Sequence, residues 1–192
     1  NYAAMRSCLT EYGYDSNGNP WNFTMSAQGA YLESACAFVG VHCKCDTECQ
    51  TSKLLLPCGG LDGKILENFS HLKHLQAIDL RSNRLTKITT AALGLLTNLH
   101  TLNLQENELR GTIPAVVFEL TNLQILDLSE NKLTGSLSDS VRNLANWSSY
   151  KFLYFLLRYL NLRGNELRGT IPAELFWIPH LQILDLSENK LT

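Results

Sequence analysis

The sequence predicts an α/β solenoid: a coil of repeated units whose short strands stack into one long parallel concave sheet, with a helical or irregular convex side. Three observations predict it. The pattern L-x-x-L-x-L-x-x-N-x-L begins at Leu75, Leu99, Leu123, Leu157 and Leu181, at spacings of 24, 24, 34 and 24 residues. A period of about 20–29 residues with this leucine spacing marks a leucine-rich-repeat solenoid. An asparagine returns at one place in every unit (Asn83, Asn107, Asn131, Asn165 and Asn189), and all six cysteines precede the regular repeats. The division that follows is a cysteine-rich N-terminal cap over residues 1–53 and a solenoid over 54–192 of about five and a half repeats.

Each L-x-L triplet, such as Ile78-Asp79-Leu80, reads as a strand with aliphatics inward and the middle residue outward. The Asn after the strand sits where the chain turns, where its amide can satisfy backbone groups the turn leaves unpaired. That structural use outweighs a polar binding track, because buried amides are normally spent on backbone. Leu85, Leu109, Leu133 and Leu167 then close the layer. Leu109-Arg-Gly-Thr-Ile-Pro114 recurs word for word at Leu167-Arg-Gly-Thr-Ile-Pro172, whereas Leu85-Thr-Lys-Ile-Thr89 has neither Gly nor Pro. A second, outer sheet is expected to break there. Leu123–Thr134 is identical to Leu181–Thr192, an offset of 58 residues that points to a duplicated two-repeat block. The pattern stops in mid-repeat at Thr192, and solenoids need a polar terminal cap, so a truncated C-terminus is expected.

The 34-residue spacing carries a 10-residue insertion at 147–156, with Trp147, Tyr150, Phe152 and Tyr154 in it. Leu144, Trp147, Lys151, Tyr154 and Phe155 fall at helical spacing. Packing of these aromatics on the solenoid is the plainer expectation, since large exposed apolar patches are uncommon. An exposed aromatic island for a partner is the functional one.

A net charge of −2 with few charge runs argues against a nucleic-acid partner, which demands a basic face. No stretch approaches the roughly 18 apolar residues of a membrane span, so no membrane contact is expected within this segment, although an anchor after Thr192 is compatible with it. Cys8, Cys36, Cys43, Cys45, Cys49 and Cys58 form an even set confined to one end, which reads as disulfides in an oxidising compartment. Three sequons agree, at Asn22, Asn68 and Asn146. A zinc reading of His42-Cys43-Lys-Cys45-Asp-Thr-Glu-Cys49 is weaker, because C-x-C-x3-C lacks the paired C-x2-C arms of structural sites. No cofactor or metal is expected.

Cys36-Ala-Phe-Val-Gly-Val-His-Cys43 resembles the C-x-W-x-G-V-x-C core of the N-terminal cap of plant-type extracellular leucine-rich-repeat proteins, with Phe38 where that family has Trp. Tyr14-Asp-Ser-Asn-Gly-Asn-Pro-Trp21 is similar to the segment that opens many such caps, and L-x-G-x-I-P looks like the plant-type repeat. The resemblance covers nearly the whole chain. It implies the ectodomain of a receptor-like protein or kinase, or a secreted relative such as a polygalacturonase inhibitor, and it favours a Cys36–Cys43 bridge. Cys45, Cys49 and Cys58 depart from the common pattern and leave the remaining pairing open.

The outward strand positions form the candidate binding face. They include Asp79 and Arg81; His100, Thr101, Asn103 and Gln105; Ile125, Asp127 and Ser129; Arg158, Tyr159, Asn161 and Arg163; then Ile183 and Asp185. Asp79, Asn103, Asp127, Asn161 and Asp185 make a polar ladder that is also common repeat default. The Arg158, Tyr159 and Arg163 cluster is the favoured patch, because Tyr and Arg are enriched at interface hot spots. Five scattered histidines, no phosphate loop and no nucleophile context leave no catalytic set. The expectation is a non-enzymatic, secreted or cell-surface module that presents a rigid sheet to a protein or peptide ligand. Alternatives are a glycan ligand, a microbial or wall-degrading enzyme as the inhibited partner, and a structural or adhesive wall role. An ice-binding surface would want regular ranks of Thr, which the mixed charges speak against.

Overall fold

A computed structural model of the chain describes residues 41–45, 49–65, 72–89, 93–137, 140–141 and 155–192. The expectations for Cys8, Cys36, the sequons at Asn22, Asn68 and Asn146, and the insertion residues Trp147, Tyr150, Phe152 and Tyr154 lie outside them.

Seven strands form the main sheet: β1 (Val41–Cys45), β2 (Cys49–Leu55), β4 (Ala77–Asp79), β6 (Thr101–Asn103), β8 (Ile125–Asp127), β10 (Tyr159–Asn161) and β12 (Ile183–Asp185), in that spatial order. β1 and β2 are an antiparallel hairpin, and every later neighbour is parallel. β2 crosses the expected 53/54 boundary and pairs directly with β4. Leu54, Ile78, Leu102, Leu126, Leu160 and Leu184 lie in one register row, and all but the last are buried. This is the inward half of the alternating strand. Leu75, Leu99, Leu123 and Leu157, with Leu80, Leu104, Leu128 and Leu162, complete the stacked core.

The asparagine row is spent on backbone, as expected. Asn131 donates through Nδ2 to the carbonyls of Leu104, Leu128 and Ser129 at 3.0–3.1 Å, while its Oδ1 accepts from Leu109 N at 3.0 Å. Asn83, Asn107, Asn165 and Asn189 repeat the arrangement. Each amide therefore stitches its own turn to the preceding unit. The residue just before it adopts a left-handed conformation: Ser82, Glu106, Glu130, Gly164 and Glu188 have φ of 53–65°. Non-glycine residues hold this strained geometry only where the surroundings over-determine it. Here the amides of Ser82, Glu106 and Glu130 each donate to a carbonyl of the next unit.

The outer side carries β3 (Asp62–Ile65), β5 (Arg84–Ile88), β7 (Arg110–Gly111), β9 (Lys132–Leu133), β11 (Arg168–Gly169) and β13 (Lys190–Leu191), which pair only as β3–β5, β7–β9 and β11–β13. The break after β5 is the one the missing Gly and Pro predicted. After β9, at the unit that holds the insertion, the ladder thins to a Ser136–Arg168 bridge, with both backbone hydrogen bonds to the next unit kept. Beyond the strands, Pro114 and Pro172 open the 3-10 turns Ala115–Glu119 and Ala173–Trp177. Proline suits this entry because its φ is already fixed near the helical value and the first N–H has no partner to lose. Phe118 from the first turn is fully buried, and so is Phe155 from the end of the insertion.

Candidate functional site

On the concave face the outward residues fall into three parallel rows set by the strand register. One row reads Ala77, Thr101, Ile125, Tyr159, Ile183; the next reads Asp79, Asn103, Asp127, Asn161, Asp185. Arg81, Gln105, Ser129, Arg163 and Ser187 follow two residues further along each strand.

The Asp/Asn row is largely committed to the fold. In every unit one side-chain oxygen accepts from the amide two residues on: Asp79 from Arg81, Asn103 from Gln105, Asp127 from Ser129, Asn161 from Arg163 and Asp185 from Ser187, at 2.9–3.3 Å. Asp127 and Ser129 depart from the expected exposure. Both are buried, Ser129 at 1% exposure, because the Ser129 hydroxyl donates to Asp127 Oδ1 at 2.6 Å and the next unit covers the pair. Asp185 and Ser187 make the same bond at 2.6 Å. The Ser187 donors, hydroxyl and then amide, hold the Asp185 carboxyl below its ordinary value of 3.8.

Tyr159 is tied in as well. Its hydroxyl donates to Asp127 Oδ2 at 3.4 Å and accepts from Asn161 Nδ2 at 3.1 Å, and Asn161 Nδ2 also reaches Asp127 Oδ2 at 3.2 Å. This three-residue network fixes the polar end of the ring and leaves the apolar body half-exposed. Ile125 and Ile183 flank it in register at 40% and 52% exposure. Neighbouring strands lie about 4.8 Å apart, so the three side chains make one contiguous apolar stripe. Sequence reasoning named all three as outward but weighed only the tyrosine. The isoleucines count because the register aligns them with it.

The arginines divide. Arg163 is clamped by Glu188 at 2.6 Å and lies 3.9 Å from Glu130. The hydrogen bond that Arg163 donates to the Glu188 carboxylate raises the guanidinium pKa still further. Arg81 lies 3.6 Å from Asp79, and Arg158 is exposed beside Tyr159. Gln105 and Asn103 are half-buried. His100 is half-buried too, and its Nδ1 is buried without a hydrogen-bond partner among the described residues. Cys43 and Cys58 are disulfide-bonded; the favoured partner Cys36 lies outside the described residues. Among the described residues no group of His, Cys, Asp or Glu is arranged to hold a metal, and no helix is long and apolar enough to cross a membrane.

A ridged parallel sheet with a preorganised apolar stripe and a polar frame defines a recognition scaffold of the solenoid class. Leucine-rich-repeat family profiles match residues 50–109, 122–144, 156–177 and 178–192. The chain is 34% identical to a chain of the BIR3–SERK2 complex from Arabidopsis thaliana, covering 90% of this chain and 84% of that one, with a TM-score of 0.69. It is 31% identical to the ectodomain of the Arabidopsis receptor kinase HAESA, solved with an N-terminally extended IDA peptide hormone, covering 85% and 27% at a TM-score of 0.68. The GASSHO1/SCHENGEN3 ectodomain from Arabidopsis thaliana, in complex with CASPARIAN STRIP INTEGRITY FACTOR 2, gives a TM-score of 0.74 at 27% identity, covering 99% of this chain and 21% of that one. No curated protein sequence matches. The chain belongs to the leucine-rich-repeat family, in the plant type found in receptor-kinase ectodomains.

Proposed function

We propose that this chain is the extracellular ligand-recognition part of a leucine-rich-repeat receptor-like protein or kinase, capturing a protein or peptide across its concave sheet. It performs no chemistry of its own. The Ile125–Tyr159–Ile183 stripe carries the reading. Apolar residues exposed on a rigid sheet, with their polar neighbours already satisfied internally, give up little ordering entropy on binding. The peptide bound to the HAESA ectodomain supports the ligand class, and the disulfides at Cys43 and Cys58 support an oxidising compartment. Glycans at the three sequons fit the same compartment.

Selection of displayed random peptides against the secreted protein tests this. Selected peptides should bind at least tenfold more weakly to Tyr159→Ala and to the double variant Ile125→Asp/Ile183→Asp, both with unchanged circular dichroism. Equal binding to all three proteins would remove the concave stripe as the site.

A further inference from the structure

The outer side of the solenoid holds a second feature that the concave face does not use. Successive outer strands are joined by two backbone rungs. Lys132 N reaches Leu109 O and Thr134 N reaches Gly111 O; Glu166 N reaches Leu133 O and Arg168 N reaches Gly135 O; Lys190 N reaches Leu167 O and Thr192 N reaches Gly169 O, all at 2.8–3.0 Å. Between β5 and β7 only the first rung forms, Glu108 N to Leu85 O at 2.9 Å. The second, Arg110 N to Lys87 O, is missing among the described residues. Its absence follows from the sequence. Gly111, Gly135 and Gly169 turn the chain with φ of 81–89°, a region in which glycine is at ease. Lys87 stands at that place in β5 without a positive φ, so β5 runs straight on for five residues and diverges from β7.

The divergence opens a cleft of about 290 Å³. Pro114 and the edge of Ile88 give it a small apolar floor above the buried Leu109 and Leu133, and Lys87 and Arg110 stand at its rim. Lys87 is exposed and makes no ion pair among the described residues. Arg110, 66% exposed, lies 3.9 Å from Glu108, but that carboxylate is held by Lys132 at 3.0 Å. The Lys132 hydrogen bond is the first cause of the lowered Glu108 pKa. Lys87 and the loosely paired Arg110 therefore overhang a recess along whose edge the second backbone rung is missing among the described residues.

We propose that this cleft is a docking site for an acidic extended segment of a partner protein, with one Glu or Asp side chain seated in it. The methylene stem lies over Pro114 and the edge of Ile88, and the carboxylate takes Arg110 and Lys87 in charge-assisted hydrogen bonds. The segment's backbone takes the missing rung, as in strand addition to an open sheet edge. A bare phosphate would leave the apolar floor unused. The proposal stands independently of the concave stripe.

A short fluorescein-labelled peptide of alternating Glu and Ala, titrated against the whole chain with anisotropy and backbone-amide shifts as readouts, tests it. Binding should shift the Lys87 and Arg110 amides and fall at least tenfold in Lys87→Ala and Arg110→Ala. Lys87→Gly, which restores the closing glycine, should abolish it. Lys190→Ala, on the same flank, should leave it unchanged. Equal binding of the Gln-for-Glu peptide, equal weakening by Lys190→Ala, or displacement by inorganic phosphate or an acidic oligosaccharide at the peptide's own concentration would each overturn the proposal.

Discussion

Replacing Asn131 with alanine removes four hydrogen bonds at once and strands Leu109 N and the carbonyls of Leu104, Leu128 and Ser129. A buried polar group left unpaired costs about 1–3 kcal/mol. Asn131→Ala is therefore expected to destabilise by at least about 2 kcal/mol, read from urea unfolding. A loss below about 0.5 kcal/mol would mean that water replaces the amide. Asn98 and Asn122 make a thinner version of the same stitch on the outer side, each donating at 2.8 Å to a carbonyl one unit back. After the insertion Leu156 stands in that position, and its backbone amide makes the link to Thr121 O at 3.0 Å instead. The contact survives a change of side chain because the main chain can supply it.

The outer strands are too short to bury much, and their charges compensate from unit to unit. Lys132 pairs with Glu108 at 3.0 Å and Lys190 with Glu166 at 2.8 Å. Hydrogen bonds from these lysines, and then their charges, hold both glutamate carboxyls below their ordinary value of 4.5. A carboxyl with a depressed folded pKa stabilises above its unfolded pKa and loses that contribution as pH falls through the folded one. Stability should therefore decline as pH drops below about 4.5, and the decline should be shallower in Lys132→Ala/Lys190→Ala. Urea midpoints from pH 7 to pH 3 that fall in parallel for both proteins would show that the ladder contributes nothing to acid unfolding. The pairs are exposed and weak one by one, so added salt should produce the same flattening.

At the scale of the whole molecule each unit touches only its neighbours, so stability is a sum of units and interfaces. Leu126 lies at the centre of the row, fully buried between β6 and β10. Leu126→Ala is expected to cost about 2–5 kcal/mol. By nearest-neighbour coupling it should speed amide exchange in β6 and β10 more than in β2. Uniform acceleration along the sheet would indicate a single cooperative unit. The two surfaces proposed for partners also belong to this scale. The concave stripe exists because three units place their outward residues in register, and the flank cleft exists because two neighbouring units fail to match.

The sequence by itself determined the coil. A 24-residue period fixes which leucines stack, which asparagines turn the chain and where an outer strand lacks its glycine, since all of these depend on residue type at a local position. The break after β5 was legible for that reason. It did not determine which outward residues remain available. Asp127 and Ser129 read as exposed from their alternation, yet the next unit buries them, and Tyr159 spends its hydroxyl on residues 32 positions away and two positions away. Ile125 and Ile183 became a stripe with Tyr159 only through a register that skips the insertion. Likewise Lys87 and Arg110, 23 residues apart in the chain, share a cleft only because two strands diverge. Side-chain availability depends on what the neighbouring unit covers, and that is a property of stacking which no single repeat encodes.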